Sequence, residues 1–218
     1  MQFGSILLSF FTLFGISNYN YDFPDYYDYE YSTPNAAELI QEHQHSIGKS
    51  NSETKVIEFV DYSSTESFTF FTEVFPQIKS NYIDTEKIHY AFIPHPQYYN
   101  GVTSKLAIKA AYCAKKQNKF MEMHQALLTN QLEWTQTDFP ETKFTSYAKE
   151  SGIDENSFIT CLDSEEMNQL INKDIKKAQN LYIYTSPTLL IGTEIFSYEL
   201  NFDQVKKAIE GTFIETKL

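Results

Sequence analysis

The alternation of apolar and polar positions changes period along this chain, and each change marks an element. In Lys55–Val60, Val56, Glu58 and Val60 alternate with Ile57 and Phe59. Successive strand side chains point to opposite faces, so this run is largely apolar on both sides and predicts a central, covered strand. Over residues 67–80, Phe68, Phe71, Val74 and Phe75 fall at helical spacing, with Asn81 close to the end. Pro76 lies inside that helix and predicts a kink. Residues 87–93 predict a second strand, ended by Pro94 and Pro96. Residues 36–47 read as a short helix in which His43 and His45 occupy different faces, which argues against a shared metal ion.

Residues 104–181 then read as helical throughout. Residues 104–118 put Leu106, Ala110, Cys113 and Ala114 on one face, and residues 120–128, 144–150 and 155–162 follow with breaks near Asn118 and Gly152. Residues 163–181 carry Met167, Leu170, Ile171, Ile175, Ala178 and Leu181 at helical spacing. Asp163 followed by Glu166 is an N-terminal capping signal. Beyond residue 181 the period returns to two: residues 188–191 and 194–198 flank Gly192-Thr193 as a hairpin, and residues 202–211 close as a helix. Strand-helix-strand, a helical insert, then hairpin and helix is an α/β layout, and the right-handed crossover rule supports a parallel first half.

Composition narrows the possible roles. The chain has 218 residues, 42% hydrophobic and 21% charged, which suits a globular core. A net charge of −12 disfavours nucleic acid and anionic membrane surfaces as partners, because phosphate binding needs clustered cations. Residues 1–17 are apolar and uncharged, with Gly15 and Ser17 at the −3 and −1 positions of a cleavage site. This is short of the about 20 residues that span a bilayer, so a cleaved signal peptide is expected, with an uncleaved anchor as the alternative. Residues 18–34 interleave tyrosines with Asp22, Asp25, Asp28 and Glu30 and lack aliphatic side chains. They read as a solvated linker to a domain at 35–218. Export would place the chain in a secreted or periplasmic compartment; an uncleaved anchor would hold it on a membrane facing the exterior. His89, His95 and His124 are scattered, with no metal-ligand spacing, and no metal or cofactor is expected. Trp134 is expected in the core or an interface. Ser63-Ser64-Thr65-Glu66 fits S-x-x-E, a capping box in which Ser63 caps and Glu66 reaches back.

The segment Phe59-Val60-Asp61-Tyr62-Ser63 followed by Ser64-Thr65-Glu66-Ser67 resembles the active-site strand and turn of DsbA-like thiol-disulfide oxidoreductases, in which F-x-D-Y-x runs into C-x-x-C. The segments Ala110-Ala111-Tyr112-Cys113-Ala114 with Lys119-Phe120, Phe158-Ile159-Thr160-Cys161-Leu162, and Thr185-Ser186-Pro187-Thr188 are similar to the same family. The resemblance implies a thioredoxin-like fold with a helical insertion at about 100–181. It puts a cis-proline at Pro187, with Ser186 as the residue whose backbone grips a peptide. It also implies a buried carboxylate at Glu58 and a structural disulfide between Cys113 and Cys161, for which two separate buried thiols are the alternative. The C-x-x-C positions fall on Ser64 and Ser67, with Thr65 and Glu66 between them.

A hydroxyl cannot form a disulfide. A helix N-terminus stabilises an anion by about 1–2 kcal/mol, roughly one pKa unit, which activates a thiol but not a serine. Three functions follow. The first is a redox-inactive member that binds a peptide or protein segment beside Pro187. The second is thiol-disulfide exchange, the family activity, which would need Cys113 and Cys161 as the redox pair. The third is a glutathione-dependent enzyme resembling kappa-class transferases, with Ser64 donating to a bound thiolate; Glu66 opposes an anion there.

Overall fold

The structure is a computed structural model that describes residues 34–96, 101–198 and 200–215. The expected signal peptide at 1–17 and nearly all of the linker at 18–34 lie outside the described residues. A five-stranded sheet organises the rest, with strands β1 (His45–Gly48), β2 (Lys55–Val60), β3 (His89–Pro94), β4 (Thr188–Ile191) and β5 (Glu194–Ser197) in the spatial order β1-β3-β2-β4-β5. β2 and β3 run parallel, with Lys55 opposite His89 and Val60 opposite Pro94; every other pairing is antiparallel. β2 is the central strand that its alternation predicts. Val56 and Val60 belong to the larger core, whereas Ile57 and Phe59 join Ala91, Ile93, Leu190 and Ala178 on the opposite face.

Helix α1 (Ala36–Leu39) precedes the sheet, and α2 (residues 65–83) connects β2 to β3. Between β3 and β4 lie α3 (Gly101–Lys115), α4 (Phe120–Thr129), α5 (Gln131–Thr135), α6 (Pro140–Glu150), α7 (Glu155–Leu162) and α8 (Glu165–Asn180); α9 (Phe202–Glu215) closes the fold. The β4–β5 hairpin turns at Gly192, whose φ of 61° suits a residue without a Cβ.

Four local expectations need correction. Residues 36–47 are not one helix: the chain leaves α1 at Ile40 in extended conformation, turns, and forms β1 against β3. The reason lies at Gly48. Its φ is 83°, and a Cβ there would stand 2.5 Å from Ile88 O, so the backbone passes close to the end of β3 and pairs with it. At Pro76, α2 changes its hydrogen-bond pattern rather than running on as one α-helix. A proline lacks a donor and presses on the carbonyl four residues back. The helix meets this with a π turn, Phe70–Val74, in which Phe75 N–H bonds to Phe70 O; Pro76 then begins a new α turn, where no donor is required. The second strand runs through Pro94 rather than ending before it. At α8 the cap is Ser164, without a side-chain cap bond, rather than Asp163. Helix α5 had no clear periodic signal; it is only one turn long, and its Trp134 is fully buried with Nε1–H bonded to Leu127 O.

Two devices hold the helical insert. Cys113 on α3 and Cys161 on α7 are joined by a disulfide with Cα atoms 5.7 Å apart. Asp174, buried on α8, accepts hydrogen bonds from Tyr112 Oη on α3 at 2.6 Å, Gln44 Nε2 at 2.7 Å and His43 Nε2 at 2.8 Å. Burial alone would raise its pKa; the bonds from His43, Tyr112 and Gln44 outweigh burial and hold the carboxyl below its ordinary range.

The disulfide closes a loop of 48 positions. Replacing both cysteines by alanine is expected to lower stability by about 2–4 kcal/mol, measured by urea denaturation. Equal midpoints for the two proteins would show that the bond constrains nothing the fold does not already hold.

Candidate functional site

Where β2 ends, the chain must turn sharply into α2, and Asp61 makes that turn. Its Oδ1 accepts from Ser63 N at 2.8 Å and from the Ser63 hydroxyl at 2.8 Å, a local turn that an Asp two residues before Ser favours. Ser104 on α3 donates to the same oxygen at 3.1 Å. Gln131, at the start of α5, donates its Nε2 to Tyr62 O at 2.8 Å and to Ser64 O at 2.7 Å. The insert therefore grips the turn from both α3 and α5.

Ser64, rather than Ser63, caps α2: its side chain accepts from Ser67 N at 3.1 Å. Ser63 is turned away towards Asp61 and Ser104. The cap is therefore displaced by one residue and no capping box forms, because Asp61 competes for the Ser63 hydroxyl. Glu66 does not reach back to a backbone N–H; its Oε2 sits 3.0 Å from Ser64 Oγ as an acceptor.

The Ser186–Pro187 peptide is cis, and it packs directly against this cap. Ser64 Oγ lies 3.0 Å from Ser186 O, Ser67 Oγ lies 2.7 Å from Ser186 Oγ, and Asp61 N donates to Ser186 Oγ at 2.6 Å. One arrangement satisfies every group in the deeper part of the network. Asp61 N–H and Ser67 O–H both donate to Ser186 Oγ, whose own proton goes to Phe59 O at 3.3 Å. Ser67 is fully buried, and Ser64 and Ser186 are nearly so. The structure thus brings Ser64, Ser67, Ser186 and Pro187 together, with Thr65 and Glu66 on the rim. Cys113 and Cys161 lie elsewhere, on α3 and α7.

Beside Pro187 an open groove of about 1070 Å³ runs between α2 and the end of β5. Its floor is Phe70, Val74, Pro187 and Leu200; Glu66 and Glu73 stand on the α2 side. Tyr198 rises on the other side, mostly exposed and with φ of 61°. A second hollow of about 510 Å³ lies between the hairpin and α9 and contains none of Ser64, Ser67 or Pro187.

Glu58 is buried behind the turn. Tyr90 Oη donates to its Oε2 at 2.7 Å, and its Oε1 has no partner. Burial raises its pKa to about 7, against a smaller opposing effect of the Tyr90 bond. His124 is also fully buried, among Phe71, Phe92 and Phe120, with Nδ1 at 3.1 Å from Tyr62 Oη; burial pulls its pKa down to about 3. His95, just beyond β3, is buried, its backbone N–H bonded to Val60 O at 2.7 Å. Burial lowers its pKa, opposed by the charge of Asp61 and a bond to the Ile183 backbone. His89 is buried on β3. Among the described residues no group of histidine, cysteine and carboxylate side chains has the arrangement of a metal site.

Asp61, Ser104, Gln131, Glu73 and Tyr198 were not singled out from sequence. Asp61-Tyr62-Ser63 carried a turn signal; the others reach the site only through tertiary packing.

Two outcomes test this geometry. Ser64→Ala removes the cap and is expected to cost about 1 kcal/mol, read from chemical denaturation; an unchanged midpoint would mean the cap bond contributes nothing. Glu58 ionises near pH 4.5 when unfolded and near 7 when folded, so stability falls as pH rises through that window and is lowest above it. Glu58→Gln should therefore gain up to about 3 kcal/mol over the parent protein at pH 8 and little at pH 4. An equal difference at both pH values would exclude a strained carboxylate.

A protein-family model described as Thioredoxin matches residues 41–211. The Probable disulfide bond formation protein D of Bacillus cereus is 30% identical over 171 residues, covering 77% of each chain. Disulfide bond formation protein D of Bacillus subtilis is 26% identical over 172 residues, covering 75% of this chain and 74% of its own. Among solved structures, alpha-DsbA1 of Wolbachia pipientis superposes with a TM-score of 0.72 at 20% identity, over 84% of this chain and all of its own. Oxidised BdbD of Bacillus subtilis gives 0.72 at 23% identity, over 83% and 96%. These two share the fold described above. A family match over most of the chain, a relative at 30% identity and this architecture lead to one conclusion: the chain belongs to the DsbA-like thioredoxin-fold family of thiol-disulfide oxidoreductases.

Proposed function

We propose that this chain is a member of its family that holds an extended peptide or protein segment beside Pro187 without exchanging disulfides, in a compartment outside the cytoplasm. The observation that carries the reading is the hydroxyl network at the mouth of α2. We read Ser64 and Ser67 as occupying the two seats of the C-x-x-C pair. Both hydroxyls are committed to hydrogen bonds, one as the helix cap and one to Ser186. The whole sequence has two cysteines, and these are bonded to each other, with Cys113 buried. Neither lines the groove. An apolar start to the chain and a disulfide, which persists in oxidising compartments, both favour export. Among the described residues no helix is long and apolar enough to cross a membrane.

A second reading rests on the names of the relatives, which are disulfide bond formation proteins. In that case the Cys113–Cys161 bond would be the redox pair, working from the helical insert rather than from the groove. The glutathione reading is disfavoured by Glu66, a carboxylate 3.0 Å from the hydroxyl that would have to receive a thiolate.

Insulin reduction and refolding of a reduced substrate protein separate these. The parent protein is expected to turn over neither above background. Ser64→Cys/Ser67→Cys is expected to raise the insulin rate at least about tenfold, because a thiol at a helix N-terminus is activated. Robust turnover by the parent protein, lost in Cys113→Ser, would overturn the proposal in favour of the second reading.

A further inference from the structure

The groove beside Pro187 is asymmetric in charge. Its α2 side carries Glu66 and Glu73, both exposed, and among the described residues no lysine, arginine or histidine lines it. Among the described residues neither carboxylate is in an ion pair. Seven positions apart on one helix, they are separated by roughly 10 Å along its axis, the length of about three extended residues. Across the groove stands the Tyr198 ring, 74% exposed. An aromatic face and carboxylates around an apolar floor form a setting for a cationic side chain: the stem packs on Phe70, Val74 and Leu200, the head meets a carboxylate, and a guanidinium stacks on the ring. The chain's net charge of −12 adds long-range attraction for a basic ligand.

We infer that the groove selects extended peptide segments rich in arginine or lysine, with Glu66 and Glu73 as the specificity-determining residues and Tyr198 as a stacking surface. This rests on the reading of the groove as a peptide site. It adds a ligand chemistry that the fold does not dictate, since the two carboxylates and the tyrosine are exposed side chains with no part in the core.

The test uses three fluorescein-labelled nonapeptides, alternating alanine with arginine, glutamine or glutamate, and reads fluorescence anisotropy with the intact protein. The arginine peptide should bind about five- to tenfold more tightly than the glutamine peptide, as two partly exposed ion pairs and one stacking contact allow. The advantage should shrink as salt is raised from 50 to 500 mM. Glu66→Gln/Glu73→Gln should abolish the advantage, so that the arginine and glutamine peptides bind that variant equally. Glu141→Gln/Glu155→Gln, which removes the same charge from exposed positions on α6 and α7, should preserve it. Thermal unfolding of both double variants checks that each remains folded. Equal binding of arginine and glutamine peptides, or an equal loss in the two double variants, overturns the inference and leaves the groove reading standing. Absence of binding by all three peptides at millimolar concentration defeats the groove reading itself.

Discussion

Everything at the functional end of this molecule depends on one junction, the contact between the first turn of α2 and the Ser186–Pro187 loop. Three hydroxyls make it, from Ser64, Ser67 and Ser186, with Asp61 N–H as a fourth participant. A helix start has backbone donors that must be satisfied, and a loop carrying proline has one donor fewer. Short hydroxyl side chains answer both needs in a space too small for larger groups. The groove is a by-product of this junction: α2 forms one side, the proline part of its floor, and the hairpin the other side.

The names of the relatives and the chemistry of this junction point in different directions. The relatives' names describe making disulfides. Here oxygen stands at positions 64 and 67, and the protein's sulfur is in the insert. Around the junction stand the parallel β2–β3 pair, the buried acid Glu58 and the cis-proline. Glu58 costs stability at neutral pH because it has one oxygen without a partner. Its presence beside serines has no evident structural benefit in this chain.

Much of this was legible in the residues, for identifiable reasons. β2, α7 and the hairpin are read correctly because their patterns match a single period and have clear breaks at Gly192 and Gly152. The helix expected at 36–47 failed because its second half has a partner strand, and pairing with β3 overrides local preference. Pro76 was given the usual effect of a proline, but a π turn absorbs it. The core of the candidate site, Ser64, Ser67, Ser186 and Pro187, was visible through motif order. Its surroundings were not: Gln131 and Ser104 come from distant parts of the insert, and only the folded chain brings them to the turn.

Among the described residues, the lining of the groove is made of carbon, nitrogen and oxygen side chains alone, with neither cysteine nor methionine. Peroxide, alkylating agents and small thiols therefore find no sulfur on that surface to modify. A catalytic dithiol at such a place lives with the risk of over-oxidation. The described lining carries no thiol to be lost to such oxidation.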